Sequence, residues 1–344
     1  MTVTTATLYV FSFLAALILS LILVPAARAA AQVFDILDHP HSAVKTHKQP
    51  VPYLGGVAMC FAFSLSMLWV RVLTSFPTGT LRSLRGLLLG AAAIALLGLV
   101  DDVKRFGLHY RTKFLFQIAA ALLVVSFGIR IKFINPPWFA SAVTVLWIVG
   151  LTNAFNLIDI MDGLASGFTV VAAAAFLFIS LPTEEIYVNF AAAALCGATL
   201  GFFPFNLSKK YKIFMGDSGS LMLGFVCSSL ALGTSYGGKS RLAVFAPLLI
   251  LALPIYDTML VSVCRLRRGM SPFVGSKDHF PLRLEALGWK RPAILTFSLC
   301  AAGVLCAAAL AITELPDHQG AIVYLGCLVM LAAFTSYILR VEVR

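Results

Sequence analysis

Polar and apolar positions along this chain separate into long blocks. Nearly continuous apolar stretches run over roughly 8–28, 53–72, 84–100, 114–132, 137–152, 164–181, 186–204, 219–236, 242–263, 293–313 and 320–340, parted by short segments rich in Pro, Gly, Lys and Arg. A helix needs about 20 apolar residues to cross the hydrocarbon core of a bilayer. The pattern therefore predicts an all-α polytopic membrane protein of about eleven transmembrane helices. The fifth stretch is short and could be tilted or partly re-entrant. Barrel strands would show about ten alternating residues each, and this chain does not. Residues 1–344 read as one integral membrane domain.

Composition agrees. The chain is 60% hydrophobic and 12% charged, against about 45–50% and 25% in soluble domains. The net charge of +11 matters through its placement. With the N-terminus outside, 19 of the 26 Lys and Arg fall on inside segments. The positive-inside rule then predicts an outer N-terminus and a cytoplasmic C-terminus, and the basic excess needs no nucleic acid to explain it. Residues 1–27 hold no Lys or Arg, so the first segment reads as a retained span. The seven Cys lie in or beside apolar segments without ligand spacing, as small core residues.

Three Asp clusters fall on one predicted side. The predicted cytoplasmic loops, about 29–52, 101–113, 153–163, 205–218 and 264–292, carry Asp101-Asp102, Asp159 with Asp162, and Asp217. In Asn153-Ala-Phe-Asn-Leu-Ile-Asp-Ile-Met-Asp-Gly163, Asn156, Asp159 and Asp162 recur every third residue, which on a helix would place them on roughly one side. A carboxylate at the bilayer centre costs about 2.5–3.5 kcal/mol on the mildest scale, so this cluster belongs at a membrane surface or in a wet cavity. A polar loop between spans is the plainer alternative. Adjacent Asp101 and Asp102, with Lys104, Arg105, Arg111 and Lys113 close behind, suit a divalent cation or a salt-bridged interfacial loop. Asp217, before Ser218-Gly-Ser220, looks like a helix N-cap, and a helix start with free amides is also an anion site. Lys45, His47 and Lys48 could bind an anion or be ordinary inside-positive charge. Asp257 sits within the ninth stretch, eight residues before Arg265. Phe280, Leu284, Leu287 and Trp289 suit an interfacial helix.

Transporters more often place key charges at the midplane. Carboxylates and cations gathered at one interface suit chemistry between a membrane-embedded and a soluble substrate. Hard oxygen ligands point to Mg²⁺, with Mn²⁺ an alternative. Together these suggest phosphoryl transfer, in which positioning and charge neutralisation carry the catalysis. A lipid or solute transporter would show the same spans, and a non-catalytic protein that binds the lipid carrier would show the same clusters.

The chain resembles the polyprenyl-phosphate N-acetylhexosamine-1-phosphate transferases, the group that includes undecaprenyl-phosphate GlcNAc-1-phosphate transferases and phospho-MurNAc-pentapeptide translocase. The resemblance rests on Gly98-Leu-Val-Asp-Asp102 with Arg111, Lys113 and Gln117, on Asn153 through Leu164, on Ile213-Phe-Met-Gly-Asp-Ser-Gly-Ser220, and on Arg268-Gly-Met-Ser-Pro-Phe273. It implies transfer of a sugar 1-phosphate from a UDP-sugar to polyprenyl (undecaprenyl) phosphate with release of UMP. This would be the first membrane step of a cell-envelope polysaccharide, at the cytoplasmic face of the bacterial inner membrane, with a homodimer as one form. By motif position, Asp217 would be the main magnesium ligand, helped by Asp102. Asp101, Asp102, Asp159 and Asp162 would be catalytic. Lys45, His47, Lys48, Arg111, Lys113, Asn153, Asn156 and Asn206 would contact substrate. The family's H-x-H-H pattern, which the resemblance implies helps hold the UDP-sugar, is reduced here to His279-Phe-Pro-Leu282, so His279 would contact substrate and Arg283 stands as a compensating phosphate contact.

Overall fold

A computed structural model describes residues 5–39, 49–73, 78–104, 107–182, 186–236, 240–271 and 275–341. Helices α1 (Thr5–Val33), α2 (Gly55–Leu73), α3 (Thr78–Val103), α4 (Tyr110–Ser126), α5 (Pro137–Ile158), α6 (Leu164–Ser180), α7 (Ile186–Leu207) and α8 (Gly216–Gly233) come first. After α8 come a 3₁₀ turn at Arg241–Phe245, α9 (Ala246–Ile250), α10 (Ala252–Arg267), the short α11 (Phe280–Ala286), α12 (Arg291–Glu314) and α13 (Asp317–Ile338). The described sheet is one antiparallel pair, β1 (Leu37–Asp38) with β2 (Val51–Pro52), in which Leu37 faces Pro52 and Asp38 faces Val51. Lys45, His47 and Lys48 lie outside the described residues.

Every predicted apolar stretch is helical over most of its length, and among the described residues seven helices are long and apolar enough to cross a membrane. The protein is an all-α multi-pass membrane protein. The fifth stretch extends to a full 22-residue helix that is among the seven. The ninth is broken instead: the segments Arg241–Ile250 and Ala252–Arg267 meet at 68°. Pro254 supplies the reason, since it has no N–H for the carbonyl of Ile250, one turn back.

At the end of the bundle that carries the acids, helices run past the hydropathy boundaries. Asp101 and Asp102 were expected in a loop but lie on the last turn of α3, and Asn153 and Asn156 lie on the last turns of α5. Hydropathy marks where the bilayer ends, whereas backbone hydrogen bonds carry each helix one or two turns further. The loop proper begins at Asp159, so Asn156, Asp159 and Asp162 do not share one helix.

The bundle is built around α8, which packs against α2, α3, α5, α6 and α7 and is buried along nearly its whole length. Small residues permit this, because a bilayer gives helices no hydrophobic reason to associate and close backbone approach must replace it. A Cβ at Gly98 of α3 would overlap the main chain of Asp217 and Ser218, and one at Gly56 of α2 would overlap the main chain of Gly219. Gly56 therefore serves a helix contact and not a ligand. At the other extreme, α13 exposes Ile322, Leu325, Leu328, Val329 and Met330, an apolar surface matched to lipid. Helix α11 was expected to lie at the interface, but Phe280 and Leu284 are buried, and it packs back on α12 and α13. All seven cysteines are free thiols.

Candidate active site

The start of α8 meets the last turns of α3 and α5 at one end of the bundle. Asp102 Oδ1 accepts from the amide of Asp217 at 2.8 Å, and its Oδ2 accepts from the amide of Ser218 at 3.1 Å. Asp102 thus caps α8 from a neighbouring helix, placing a carboxylate where the amides and the helix dipole favour one. Asp217 is not the N-cap that its sequence context suggested. It lies in the first turn, after Met215 at the cap position, and Met215 makes no side-chain cap bond. The Tyr53 hydroxyl donates to the Asp102 carbonyl. Burial, with Asp102, Asp38 and Asp101 nearby, pushes the Tyr53 phenol up to about 12.

Lys113 joins two carboxylates. Its ammonium is 3.0 Å from Asp101 Oδ2 and 2.5 Å from Asp217 Oδ2. The remaining Asp101 oxygen accepts from the Leu108 amide at 2.5 Å. Asp217 Oδ1 accepts from Asn156 Nδ2 at 2.8 Å, and the same amide group reaches Ser220 Oγ at 3.0 Å. The side chains gathered here are hard oxygen donors around a cation. Among the described residues no three His, Cys, Asp or Glu converge as a ready metal cage. That donor set fits Mg²⁺, which takes one or two carboxylates and completes its shell with water and substrate phosphates.

Beside this centre, Lys212 Nζ binds Asp162 Oδ2 at 2.5 Å. Asp159 faces the same space. Burial first, then the charges of Asp217 and Asp162, raise its carboxyl to about 8. A cation arriving among these acids relieves that repulsion. Asn206, predicted to touch substrate, also braces the site. Its Oδ1 accepts from the Gly163 amide at 2.6 Å, and its Nδ2 donates to the Ile213 carbonyl at 3.2 Å. It thereby ties the Asp159–Gly163 turn to the loop before α8. Removing a buried partner strands the groups it satisfied, at about 1–3 kcal/mol. Asn206→Ala is therefore expected to lower stability by about 1–3 kcal/mol and to loosen this turn, read as a lower melting temperature in detergent. An unchanged melting temperature would mean that water replaces both bonds.

A cavity of about 1220 Å³ opens here, with Asp102, Asn156, Asp159, Asp162, Asn206 and Asp217 in its wall. Lys104, Lys212, His279 and Arg291 line it as well, and so do Asp35, Asp38, His39 and Tyr53 from the stretch before α2. Of these, Arg291, Tyr53, Asp35, Asp38 and His39 were not picked out from the sequence. Arg291 opens a helix beyond the recognisable motifs, and no local spacing joins it to Asp217. Asp101 and Lys113 are not in that wall; the ion pair of Lys113 with Asp217 connects them to it.

Several expected contacts fall elsewhere. Asn153 does not line the cavity. It pairs with Gln117 between α4 and α5, with Asn153 Nδ2 donating to Gln117 Oε1 at 2.6 Å. Arg111 is exposed, with its guanidinium 5.8 Å from the centre of the Tyr110 ring. Arg283 is no compensating phosphate contact. It is 3% exposed and held by Asp278 Oδ1 at 2.8 Å and the Val341 carbonyl at 2.7 Å. Leu282, where the family's pattern has a histidine, lines the cavity instead.

The molecule is thus a multi-pass membrane protein with an acid cluster and the cations Lys104, Lys212 and Arg291 gathered in one cavity at one end of a helical bundle. The profile described as glycosyl transferase family 4 matches residues 84–235, the stretch from α3 to α8 that carries Asp101, Asp102, Asn156 and Asp217. The chain is 32% identical to a probable undecaprenyl-phosphate N-acetylglucosaminyl 1-phosphate transferase of Bacillus subtilis, over 81% of this chain and 78% of the relative. It is 31% identical to a decaprenyl-phosphate N-acetylglucosaminephosphotransferase of Mycolicibacterium smegmatis, over 76% and 71%. It is 28% identical to an undecaprenyl-phosphate alpha-N-acetylglucosaminyl 1-phosphate transferase of Escherichia coli, over 80% and 76%. The chain belongs to glycosyl transferase family 4.

Proposed function

We propose that this protein transfers a sugar 1-phosphate, N-acetylglucosamine 1-phosphate by the pattern of its relatives, from a UDP-sugar to a polyprenyl phosphate. An oxygen of the lipid phosphate bonds to the sugar-linked phosphorus, the bond between the two phosphates of the nucleotide breaks, and UMP leaves. The observation that carries this reading is the meeting of Asp102, Asp217, Asn156 and Asp159 with Lys212 and Arg291 in one cavity at the bundle end. The positive-inside count favours that end as the cytoplasmic one, where a nucleotide sugar is available. The same rule supports an outer N-terminus, and the eleven apolar stretches of the sequence are read as eleven crossings.

Lys104, Lys212 and Arg291 would neutralise the diphosphate, which suits transfer between phosphates. A phosphate monoester has its second pKa near 6, so the lipid phosphate arrives largely as a dianion and needs little help from a base. Asp101, held by Lys113 and the Leu108 amide, then serves to hold Lys113 and Asp217 in register. It does not need to act as a nucleophile. Asp217, with Asp159, would hold Mg²⁺, since both Asp102 oxygens are taken by the α8 amides. When bound, the ion would offset charge on the transferring phosphates. The test is UMP release by purified protein with undecaprenyl phosphate and a panel of UDP-sugars, with and without a chelator. Release with one UDP-N-acetylhexosamine, abolished by the chelator and restored by Mg²⁺, is the expected result. No release with any sugar, from folded protein that binds the lipid, would overturn the reading.

A further inference from the structure

Asp257 carries the strongest unexplained chemistry in the molecule. It is fully buried on α10, beyond the break in the ninth apolar stretch. An acid in such a place needs partners, and two are present. Asp257 Oδ2 lies 2.6 Å from His279 Nδ1, and Oδ1 accepts from the Phe280 amide at 2.9 Å. His279 is 4% exposed, and the surface it keeps lies in the wall of the cavity. The ring's one side-chain hydrogen bond among the described residues is through Nδ1.

An ionised carboxylate can only accept, so His279 Nδ1 must carry the proton. The hydrogen bond at one ring nitrogen decides what the other offers. Nε2 is then the nitrogen left for the cavity. In the neutral ring it is a bare acceptor. Once it takes a proton it is a cationic donor whose charge Asp257 balances at 2.6 Å. An anionic diphosphate favours the second form. The groups around the pair are settled: Asp278 is engaged by Arg268 and Arg283, at 2.9 and 2.8 Å, and Arg283 also meets Cys264. Among the described residues, Asp257 is thus the acid that is hydrogen-bonded to the ring.

We propose that Asp257 is a positioning residue that orients His279 through Nδ1 and balances the charge of its doubly protonated ring, so that Nε2–H donates to the diphosphate of the nucleotide substrate. The role rests on the transferase reading above, with the tautomer readable independently of it. Were Asp257 only a cap for α11, the amide bond to Phe280 would suffice. A cap alone does not require the histidine, and Asn at 257 would replace it.

Asp257→Asn keeps an acceptor for the Phe280 amide but can turn its NH₂ toward Nδ1, which forces the proton to Nε2. Nitrogen-15 NMR of histidine-labelled protein in detergent reads this directly, with the signal assigned by its loss in His279→Asn. The expected result is an Nδ1-protonated His279 in the substrate-free parent, gaining Nε2–H when UDP-N-acetylglucosamine binds, and a neutral Nε2-protonated ring in Asp257→Asn. In UMP release, Asp257→Asn and His279→Asn are each expected to raise the KM for UDP-N-acetylglucosamine about tenfold or more, with a smaller change in kcat. The double variant is expected to be no worse than either single one, as for groups acting as a unit. An unchanged tautomer in Asp257→Asn, or additive effects in the double variant, would overturn the proposal and leave Asp257 a helix cap. If the parent releases no UMP with any sugar, the transferase reading fails while the tautomer measurement still decides the Asp257–His279 pair.

Discussion

Asp217→Asn is expected to lower UMP release about a thousandfold while leaving the protein folded. The size follows from losing one preorganised charge contact in a site that works by electrostatics, typically a factor of about a hundred to a thousand. Folding should survive because the change is local and nearly isosteric. An Asn at 217 still offers an oxygen to Lys113 or to Asn156, whose groups now lie 2.5 and 2.8 Å from the carboxylate. The Asp102 cap on α8 uses the backbone of residue 217 and is untouched. The measurement is UMP release at saturating Mg²⁺, beside a melting curve in detergent. A variant that melts like the parent but does not turn over places Asp217 in the chemistry. Retained turnover would make it merely the counter-charge for Lys113. The double change Lys113→Met with Asp217→Asn separates these roles, since a counter-charge role predicts that activity returns when both are removed.

The second large effect is steric. Gly98→Ala adds one methyl group, yet that carbon would overlap the main chain of Asp217 and Ser218. A side chain could rotate aside, but the first turn of α8 cannot. Extra methylenes in a packed core usually cost about 1–3 kcal/mol, and a backbone clash belongs at or beyond the upper end. The helices can separate only by drawing Asp101 and Asp102 away from Asp217, so the protein that still folds should have lost its activity. Gly150→Ala on α5 is the control, because nothing lies within 4 Å of the added carbon and Ala is favoured over Gly in a helix by about 1 kcal/mol. Melting temperature and UMP release for the two variants make the comparison. Equal behaviour would show that the close approach of α3 to α8 is dispensable.

The small residues beside the acids have the same logic as the acids themselves. The sugar-phosphate chemistry proposed here needs charges from three helices held within hydrogen-bond reach. Gly98 lets α3 come close enough for Asp102 to cap α8. Asn156, on a helical turn that hydropathy assigned to a loop, reaches Asp217 because α5 continues to Ile158. Asn206 then fixes the turn that carries Asp159 and Asp162.

The altered histidine loop shows how a motif can mislead when read linearly. Arg283 sits one residue beyond the position where the pattern has its last histidine, and its charge invited the role of phosphate contact. In the fold it faces away from the cavity, with Asp278 neutralising it inside the protein. Arg291, eight residues on, reaches the cavity instead. On a short helix such as α11 the facing of a side chain is decided by which side packs on the bundle, and burial of Phe280 and Leu284 settles that.

What the sequence determined by itself is the class and the cast. In a bilayer each segment must satisfy its own backbone, so a run of apolar residues becomes a helix with little help from its neighbours. That is why the apolar stretches as helices, and the gathering of Asp102, Asn156, Asp159, Asp162 and Asp217, were legible. The tertiary structure alone decided the partnerships: Asp102 with the α8 amides, Lys113 between Asp101 and Asp217, Asn206 with Gly163, and Asp257 with His279. These pairs join residues as much as 116 positions apart. Their geometry depends on how closely whole helices approach and on where each one ends, and no local pattern of residues encodes either.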